Sequence, residues 1–146
     1  MSESGSGRPL AQVLGDAAAV LESAGVPSPR VDAELLAAHV LDVGRGRLAS
    51  MSMMGESFTP AAAASFEQLV ARRATRVPLQ HLTGVAHFRY LDLFVGPGVF
   101  VPRPETESVV QLAIDAARGM EHPLMVDLGT GSGAIAGSLA HEVPGA

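Results

Sequence analysis

Apolar residues recur at the spacing of an α-helix along the first half of the chain. The first such stretch covers residues 10–21, and Gly25 and Pro27 after it are residues that stop a helix. A second stretch begins after Ser28, which precedes a proline in the first helical turn, and ends at Gly44. The pattern predicts two amphipathic helices, the second with Ser28 as its N-cap.

A third long helix is predicted from the same signal at Thr59, which also precedes a proline, and it continues to about Arg76. Residues 45–57 have room for one short helix before it. Because apolar helix faces must pack against one another to be buried, the sequence predicts a helical domain over residues 8–76.

β-branched and aromatic residues separated by glycines follow Pro78, and this pattern is typical of short strands. The predicted segments are residues 79–83, 86–90 and 93–95, with turns at Gly84 and at residues 96–98. We expect a small hairpin or meander that forms a β connector over residues 77–101.

The last third of the chain predicts a helix, a strand and a second helix. Residues 105–118 have the pattern of an amphipathic helix, with apolar positions at Val109, Val110, Leu112, Ala113 and Ala116. Residues 124–128 are a continuous apolar run typical of a buried parallel strand, and a glycine-rich turn and an alanine-rich helix follow. Such a strand needs neighbours, so residues 102–146 are interpreted as the opening of an α/β domain in a truncated sequence. We expect exposed apolar surface on the strand and on helix 105–118.

Composition narrows the class of protein. The 146 residues carry a net charge of −5, and 47% are hydrophobic against 17% charged, which indicates a soluble globular protein without a basic nucleic-acid surface or a membrane span. Cysteine, lysine and asparagine are absent, so thiol chemistry and lysine-based mechanisms are excluded. Residues 1–7 are predicted to be a tail rather than a signal peptide, and the absence of cysteine agrees with a cytoplasmic location.

Isolated histidines and arginines have structural interpretations. His39 lies on an apolar helical face and is predicted to be half-buried and hydrogen-bonded. His81 and His87 flank a turn without a third ligand at metal spacing, so no metal site is expected. A basic cluster is predicted to be a solvated helix end rather than a partner-facing patch, and it consists of Arg72, Arg73 and Arg76.

The strongest chemical signal is the glycine-rich turn after the predicted strand. Glycines allow the backbone to turn tightly and approach a ligand, and a helix N-terminus presents unpaired N–H groups. The spelling Gly129-x-Gly131-x-x-Ala134 fits a dinucleotide fingerprint. The fuller spelling Asp127-x-Gly129-x-Gly131-x-Gly133 is instead the motif seen in S-adenosylmethionine-dependent methyltransferases. A turn without any ligand is the third interpretation.

Three longer motifs decide between these interpretations. They read RVPLQHLTG at residues 76–84, FVPRPETE at 100–107 and VDLGTGSGAIA at 126–136. In order and spacing they resemble the HemK/PrmC family of release-factor glutamine methyltransferases, over essentially the whole chain. The resemblance implies an α + α/β fold: an N-terminal helical bundle, a β-hairpin linker, and the first helix–strand–helix of a class I, Rossmann-like methyltransferase domain.

The resemblance also implies the chemistry. It implies N5-methylation of the glutamine in the GGQ motif of peptide chain release factors, with S-adenosylmethionine as donor and a helical domain that helps to dock the release factor. The implied cofactor-binding residues are Phe100, Asp127, Gly129, Thr130, Gly131, Ser132 and Gly133. The PRPETE string has a structural interpretation, since Glu105 and Glu107 suit the first turn of a helix, and it is left out of the site.

No residue of this chain is assigned a catalytic role. The family holds the glutamine amide with an Asn-Pro-Pro-Tyr loop, and this chain contains neither that loop nor any asparagine. It also lacks the acidic residue that binds the cofactor ribose in the family, so the chain is expected to be inactive alone. Two other classes of function stay open, a non-catalytic helical module that binds a protein and a nicotinamide-dependent oxidoreductase.

Overall fold

The computed structural model describes residues 7–146, which form two compact units. The first unit is Met1–Thr83 and the second is Gly84–Ala146. Residues 1–6, which hold most of the predicted tail, lie outside the described part. The predicted division into three parts at residues 76 and 101 stays a prediction. No helix among the described residues combines the length and the apolar character needed to cross a membrane.

Helices α1 (Leu10–Ser23) and α2 (Pro29–Leu41) pack against each other in the first unit, and the apolar spacing predicted both. Helix α2 begins after Ser28 as expected, but the Ser28 side chain makes no capping hydrogen bond. The helix ends three residues before Gly44, because Asp42 takes a left-handed backbone conformation with φ +52° and closes the last turn.

Helix α3 (Arg45–Met53) is the predicted short helix, and α4 (Pro60–Ala74) is the third long one. Thr59 caps α4, since its Oγ1 accepts a hydrogen bond from the amide of Ala62 at 3.2 Å. This bond satisfies one of the amide groups that a helix start leaves without a partner.

The prediction of a strand at residues 79–83 is wrong, because this segment forms helix α5 (Leu79–Thr83). The carbonyl of Pro78 accepts hydrogen bonds from the amides of His81 and Leu82 at 3.0 and 3.3 Å, which starts a helical turn. The turn places Leu82 inside the first unit's core, where it is 7% exposed. Burial of this leucine therefore outweighs the strand signal of a segment only five residues long.

One hydrophobic cluster joins α1 to α5. Its best-buried large side chains are Leu10, Leu14, Leu21, Leu36, Leu48 and Phe66. Phe58, just before α4, stacks on Phe66 with 5.1 Å between the ring centroids. Because each buried leucine or phenylalanine contributes about 1.5–3 kcal/mol, this cluster is the main source of stability in the first unit.

Of the three arginines predicted to form a solvated helix end, Arg72 and Arg76 are exposed, as expected, and Arg73 is not. Arg73 donates from Nε to Asp32 Oδ2 on α2 at 2.7 Å and from Nη1 to the carbonyl of Val77 at 3.0 Å. The Arg73 and Asp32 side chains are only 14% and 10% exposed. Arg76 donates to the carbonyl of Gly25 at 2.5 Å. Helix packing brings these acceptors close to Arg73 and Arg76, and the burial of Arg73 is what departs from the prediction.

The second unit begins with an antiparallel hairpin of β1 (Val85–Phe88) and β2 (Leu91–Phe94), which confirms the predicted hairpin. Helices α6 (Thr106–Ala117) and α7 (Ala134–Glu142) pack against each other, and α7 also packs against β2. The buried residues of this smaller core are Phe88, Val110, Ala117, Ala134, Leu139 and Val143.

Residues 124–128 do not form the predicted buried strand. Leu124, Val126 and Leu128 are 93%, 74% and 89% exposed, and the hairpin is the one sheet among residues 7–146. A parallel strand exists only through hydrogen bonds to a neighbour, and the described residues supply none. The Rossmann-like sheet is therefore not formed within this part of the chain.

Helix α6 buries less of its apolar surface than its pattern suggests. Val110 is fully buried, whereas Val109 and Leu112 are 57% and 71% exposed. The expectation of exposed apolar surface on this helix and on residues 124–128 is confirmed by these values.

Candidate functional site

The glycine-rich turn before α7 has the backbone conformation that its glycines allow. Gly129, Gly131 and Gly133 have φ values of +78°, +57° and +79°, in the left-handed region that other residues rarely adopt. Gly133 is the N-cap of α7, so the turn leads directly into the first turn of that helix. Three glycines in this conformation within five residues make a tight bend that side chains would strain.

Asp127 closes the turn. Its Oδ2 accepts a hydrogen bond from the amide of Ala136 at 3.3 Å, and its carbonyl accepts one from Thr130 Oγ1 at 3.3 Å. The amide of Gly133 donates to the carbonyl of Thr130 at 2.9 Å. The carboxylate therefore lies at the positive end of α7, where a negative charge is stabilised.

The space beside the glycines is open. A Cβ built on Gly129 or Gly133 would have no heavy atom within 4 Å, and one on Gly131 would meet only the carbonyl of Gly129 at 3.8 Å. The turn thus presents bare backbone to a space that the described residues leave free. A cavity of about 150 Å³ lies nearby, lined in part by Asp127 and Ala136 and not by the glycines.

The remaining expected cofactor residues have different surroundings. Ser132 is partly exposed in the turn and Thr130 is exposed. Phe100 follows the hairpin, is 84% exposed, and belongs to neither hydrophobic cluster. The structure therefore places six of the seven residues in one turn, and Phe100 lies outside that turn, after the hairpin.

The histidines form no cation site. Among the described residues, no group of three or more His, Cys, Asp or Glu side chains is arranged to hold a metal ion. His87 pairs with Asp92 across the hairpin. The prediction for His39 is wrong, because its side chain is exposed at the end of α2.

A cluster around Arg89 was not predicted from the sequence. Arg89 is the first residue of the two-residue hairpin turn, with φ +50°. Its Nε and Nη2 donate to the two carboxylate oxygens of Glu142 on α7, each at 2.6 Å, and Nη2 also donates to Gln111 Oε1 on α6 at 2.9 Å. The Arg89 and Glu142 side chains are 12% and 13% exposed. Since 53 residues separate them, no local sequence pattern pairs them.

Glu107, at the start of α6, completes this Arg89 cluster. Its carbonyl accepts from Arg89 Nη1 at 3.2 Å, and its Oε1 accepts from the amide of Arg89 at 3.1 Å. The sequence signal for Glu107 is its place as the second glutamate of PRPETE, and by itself that pattern indicates only a helix start.

Mutual hydrogen bonding keeps the Arg89–Glu142 pair charged. The Arg89 guanidinium lowers the pKa of the Glu142 carboxyl below its usual value of 4.5, and Glu142 raises the pKa of Arg89. The pair's contribution to folding is therefore present above the usual glutamate pKa and is lost as the pH falls through the lowered value.

Comparison with known proteins places the chain in a family. The sequence profile described as the PrmC N-terminal domain matches residues 7–84, which is more than half of the chain. The chain belongs to the PrmC family. This match confirms the resemblance that the three motifs indicated.

Relatives of the PrmC family extend the similarity beyond the helical unit. A release factor glutamine methyltransferase of Streptomyces coelicolor is 60% identical over 126 residues, which cover 85% of this chain and 43% of that protein. The enzymes of the same name from Mycolicibacterium smegmatis and Bifidobacterium longum are 55% and 48% identical, over 88% and 93% of this chain. They are covered to 44% and 47% of their own length, so the chain spans less than half of these relatives.

Proposed function

We propose that this chain is the N-terminal part of a release factor glutamine methyltransferase. The observation that carries the proposal is the similarity to proteins of that name, 48% identical over 93% of this chain in one case. Because the match covers 93% of this chain, it includes the turn at residues 127–133 as well as the helical unit. In the proposal, residues 8–76 help to dock the release factor. Residues 77–101 link this helical domain to the methyltransferase domain, whose first part is residues 102–146.

The proposed cofactor is S-adenosylmethionine, and the residues present fit it. The left-handed glycines with open space beside them allow close approach of a ligand to the backbone of Gly129, Gly131 and Gly133. The Asp127 carboxylate beside the N-terminus of α7 suits the ammonium group of the cofactor's methionine part, and Phe100 offers an exposed flat ring for its adenine. When bound, the cofactor supplies an electrophilic methyl group on a sulfonium.

In this chemistry the chain's own residues orient the cofactor and do not act as an acid or a base. Transfer of a methyl group to a neutral amide nitrogen depends mainly on alignment of the reacting atoms. Asp127 and Thr130 keep the shape of the turn through their hydrogen bonds. No asparagine is present to hold the glutamine amide, so we propose binding rather than turnover for these residues alone.

The position of Asp127 favours this cofactor over a nicotinamide dinucleotide. A pyrophosphate on a helix N-terminus needs free amides and no neighbouring anion. Here the Asp127 carboxylate already accepts from the amide of Ala136 in the first turn of α7. A second negative group at the same place would be repelled.

Titration of the 146-residue chain with S-adenosylmethionine and with NAD tests the cofactor. Calorimetry, together with amide shifts in NMR spectra, is expected to detect S-adenosylmethionine at residues 129–136 and no binding of NAD. Gly131→Ala strains the left-handed turn and is expected to weaken binding about tenfold. Gly119→Ala is the matched control, since Gly119 has φ +87° outside the turn. Binding of NAD instead, or equal affinity in both variants, would contradict the proposal.

The substrate is tested separately with a release factor that carries GGQ. We expect it to shift amide signals within residues 8–76 of this chain. Shifts confined to residues 84–146, or none at saturating release factor, would argue against a docking role for the helical unit.

A further inference from the structure

Helix α7 is held against the hairpin at two points along its length. At its C-terminal end, Glu142 receives the two-pronged hydrogen bond from Arg89. In its middle, Gly137 lies so close to β2 that an added Cβ would be 3.0 Å from Leu91 Cδ1. These contacts are five residues apart, which is about 7.5 Å along the helix. Two separated contacts restrain the tilt of a helix, which a single contact would not.

The first turn of α7 belongs to the candidate cofactor site, and the Arg89 cluster lies at the opposite end. Nine residues separate Gly133 from Glu142, a lever of about 13 Å. Because an α-helix moves nearly as a rigid rod, a shift at Glu142 is carried to Gly133 and to the amide of Ala136 that Asp127 accepts from.

Arg89 is well suited to define such an orientation. Its planar guanidinium fits a carboxylate in one geometry, unlike the point charge of a lysine. Gln111 and the carbonyl of Glu107, both on α6, accept further hydrogen bonds from the same side chain. The left-handed backbone of Arg89 is supported by the bond from its amide to Glu107 Oε1 at 3.1 Å.

We propose that Arg89 is a positioning residue for the glycine turn: by holding Glu142 it sets the direction of α7 and thereby the shape of the turn that binds the cofactor. The part that concerns the cofactor rests on the proposed function. Arg89 itself touches no cofactor in this proposal and acts only through α7.

The test compares Arg89→Gln with Arg118→Gln in the whole chain. Arg118 is the matched control because it lies in the same unit, its side chain is 76% exposed, and among residues 7–146 its ion-pair partner is Asp115, three residues earlier in the chain. Each variant is studied at a temperature where circular dichroism shows it fully folded. We expect Arg89→Gln to shift the amide signals of Gly131, Gly133 and Ala136 and to speed hydrogen exchange at Ala136. It is also expected to weaken S-adenosylmethionine binding about tenfold, while Arg118→Gln changes none of these.

Each outcome has a distinct meaning. If wild-type chain binds no S-adenosylmethionine but the turn signals move in Arg89→Gln alone, the positioning role stands and the proposed function fails. If Arg89→Gln lowers the unfolding temperature but leaves the turn signals and the affinity unchanged, Arg89 only stabilises the fold and the inference is overturned. If Arg89→Gln does not fold, Glu142→Gln is used instead. This variant is milder, because the amide oxygen of the new glutamine still accepts one hydrogen bond from Arg89.

Discussion

At the scale of single residues, two arginines each join segments that are far apart in the sequence. Arg73 joins α4 to α2 through Asp32, and Arg89 joins the hairpin turn to α7 through Glu142. Both pairs are largely shielded from water, so removal of one partner leaves the other charge poorly compensated. Exposed pairs such as Arg118–Asp115 contribute little by comparison.

Arg73→Gln should therefore destabilise the first unit strongly, and Arg72→Gln should not. We expect a loss of about 3 kcal/mol in the free energy of unfolding for Arg73→Gln, because the largely buried Asp32 side chain loses its ion-pair partner. Arg72, its exposed neighbour on α4, is the matched control and should change by less than about 0.5 kcal/mol. Urea unfolding followed by circular dichroism measures both. Equal losses in the two variants would show that the buried pair has no special contribution.

At the scale of elements, helix starts depend on whether a capping side chain finds its amide. The sequence presents Ser28 and Thr59 in the same way, each before a proline. Thr59 Oγ1 accepts from Ala62, whereas Ser28 makes no such bond, and its backbone ψ of 61° differs from the 157° of Thr59. The extended backbone of Thr59 is the conformation that aims an N-cap oxygen at the first turn.

Thr59→Ala is expected to cost about 1 kcal/mol of stability through loss of the cap of α4. Ser28→Ala, at the corresponding position of α2, should cost only a few tenths of that because no bond is lost. Thermal unfolding of the two variants beside the wild-type chain makes the comparison. A larger loss of stability for Ser28→Ala than for Thr59→Ala would mean that the Ser28 side chain does cap α2.

At the scale of the whole molecule, the two units differ in how completely they bury their apolar residues. The first unit has a core that joins five helices. The second leaves Leu112, Leu124 and Leu128 at least 71% exposed. Exposed apolar groups of this size in one unit favour contact with other molecules.

Leu128→Gln is expected to reduce self-association of the chain without lowering its stability, because Leu128 is 89% exposed. Sedimentation velocity over a range of concentrations measures the association. Leu139→Gln, at a site 7% exposed in the core of the second unit, should instead lower stability by about 3 kcal/mol. If Leu128→Gln leaves the self-association unchanged, this segment is not part of the surface through which copies of the chain associate.

Prediction from the sequence was most reliable where a local pattern and its burial agree. The apolar spacing located α1, α2, α4 and α6 to within a few residues, and the glycine spelling located the turn whose left-handed backbone requires glycine. It was wrong at residues 79–83, where burial of Leu82 favours a helix, and at residues 124–128, where no neighbour completes a strand.

What the sequence alone determined is therefore local: helical periods, the hairpin, the glycine turn, and the motifs that indicated the PrmC family. What only the tertiary structure decided is which distant groups meet. The contacts of Arg73 with Asp32 and of Arg89 with Glu142 span 41 and 53 residues, and packing of helices creates them. The physical reason is that backbone conformation follows from neighbouring residues, whereas an ion pair or a buried strand needs a partner that only the folded chain brings within reach.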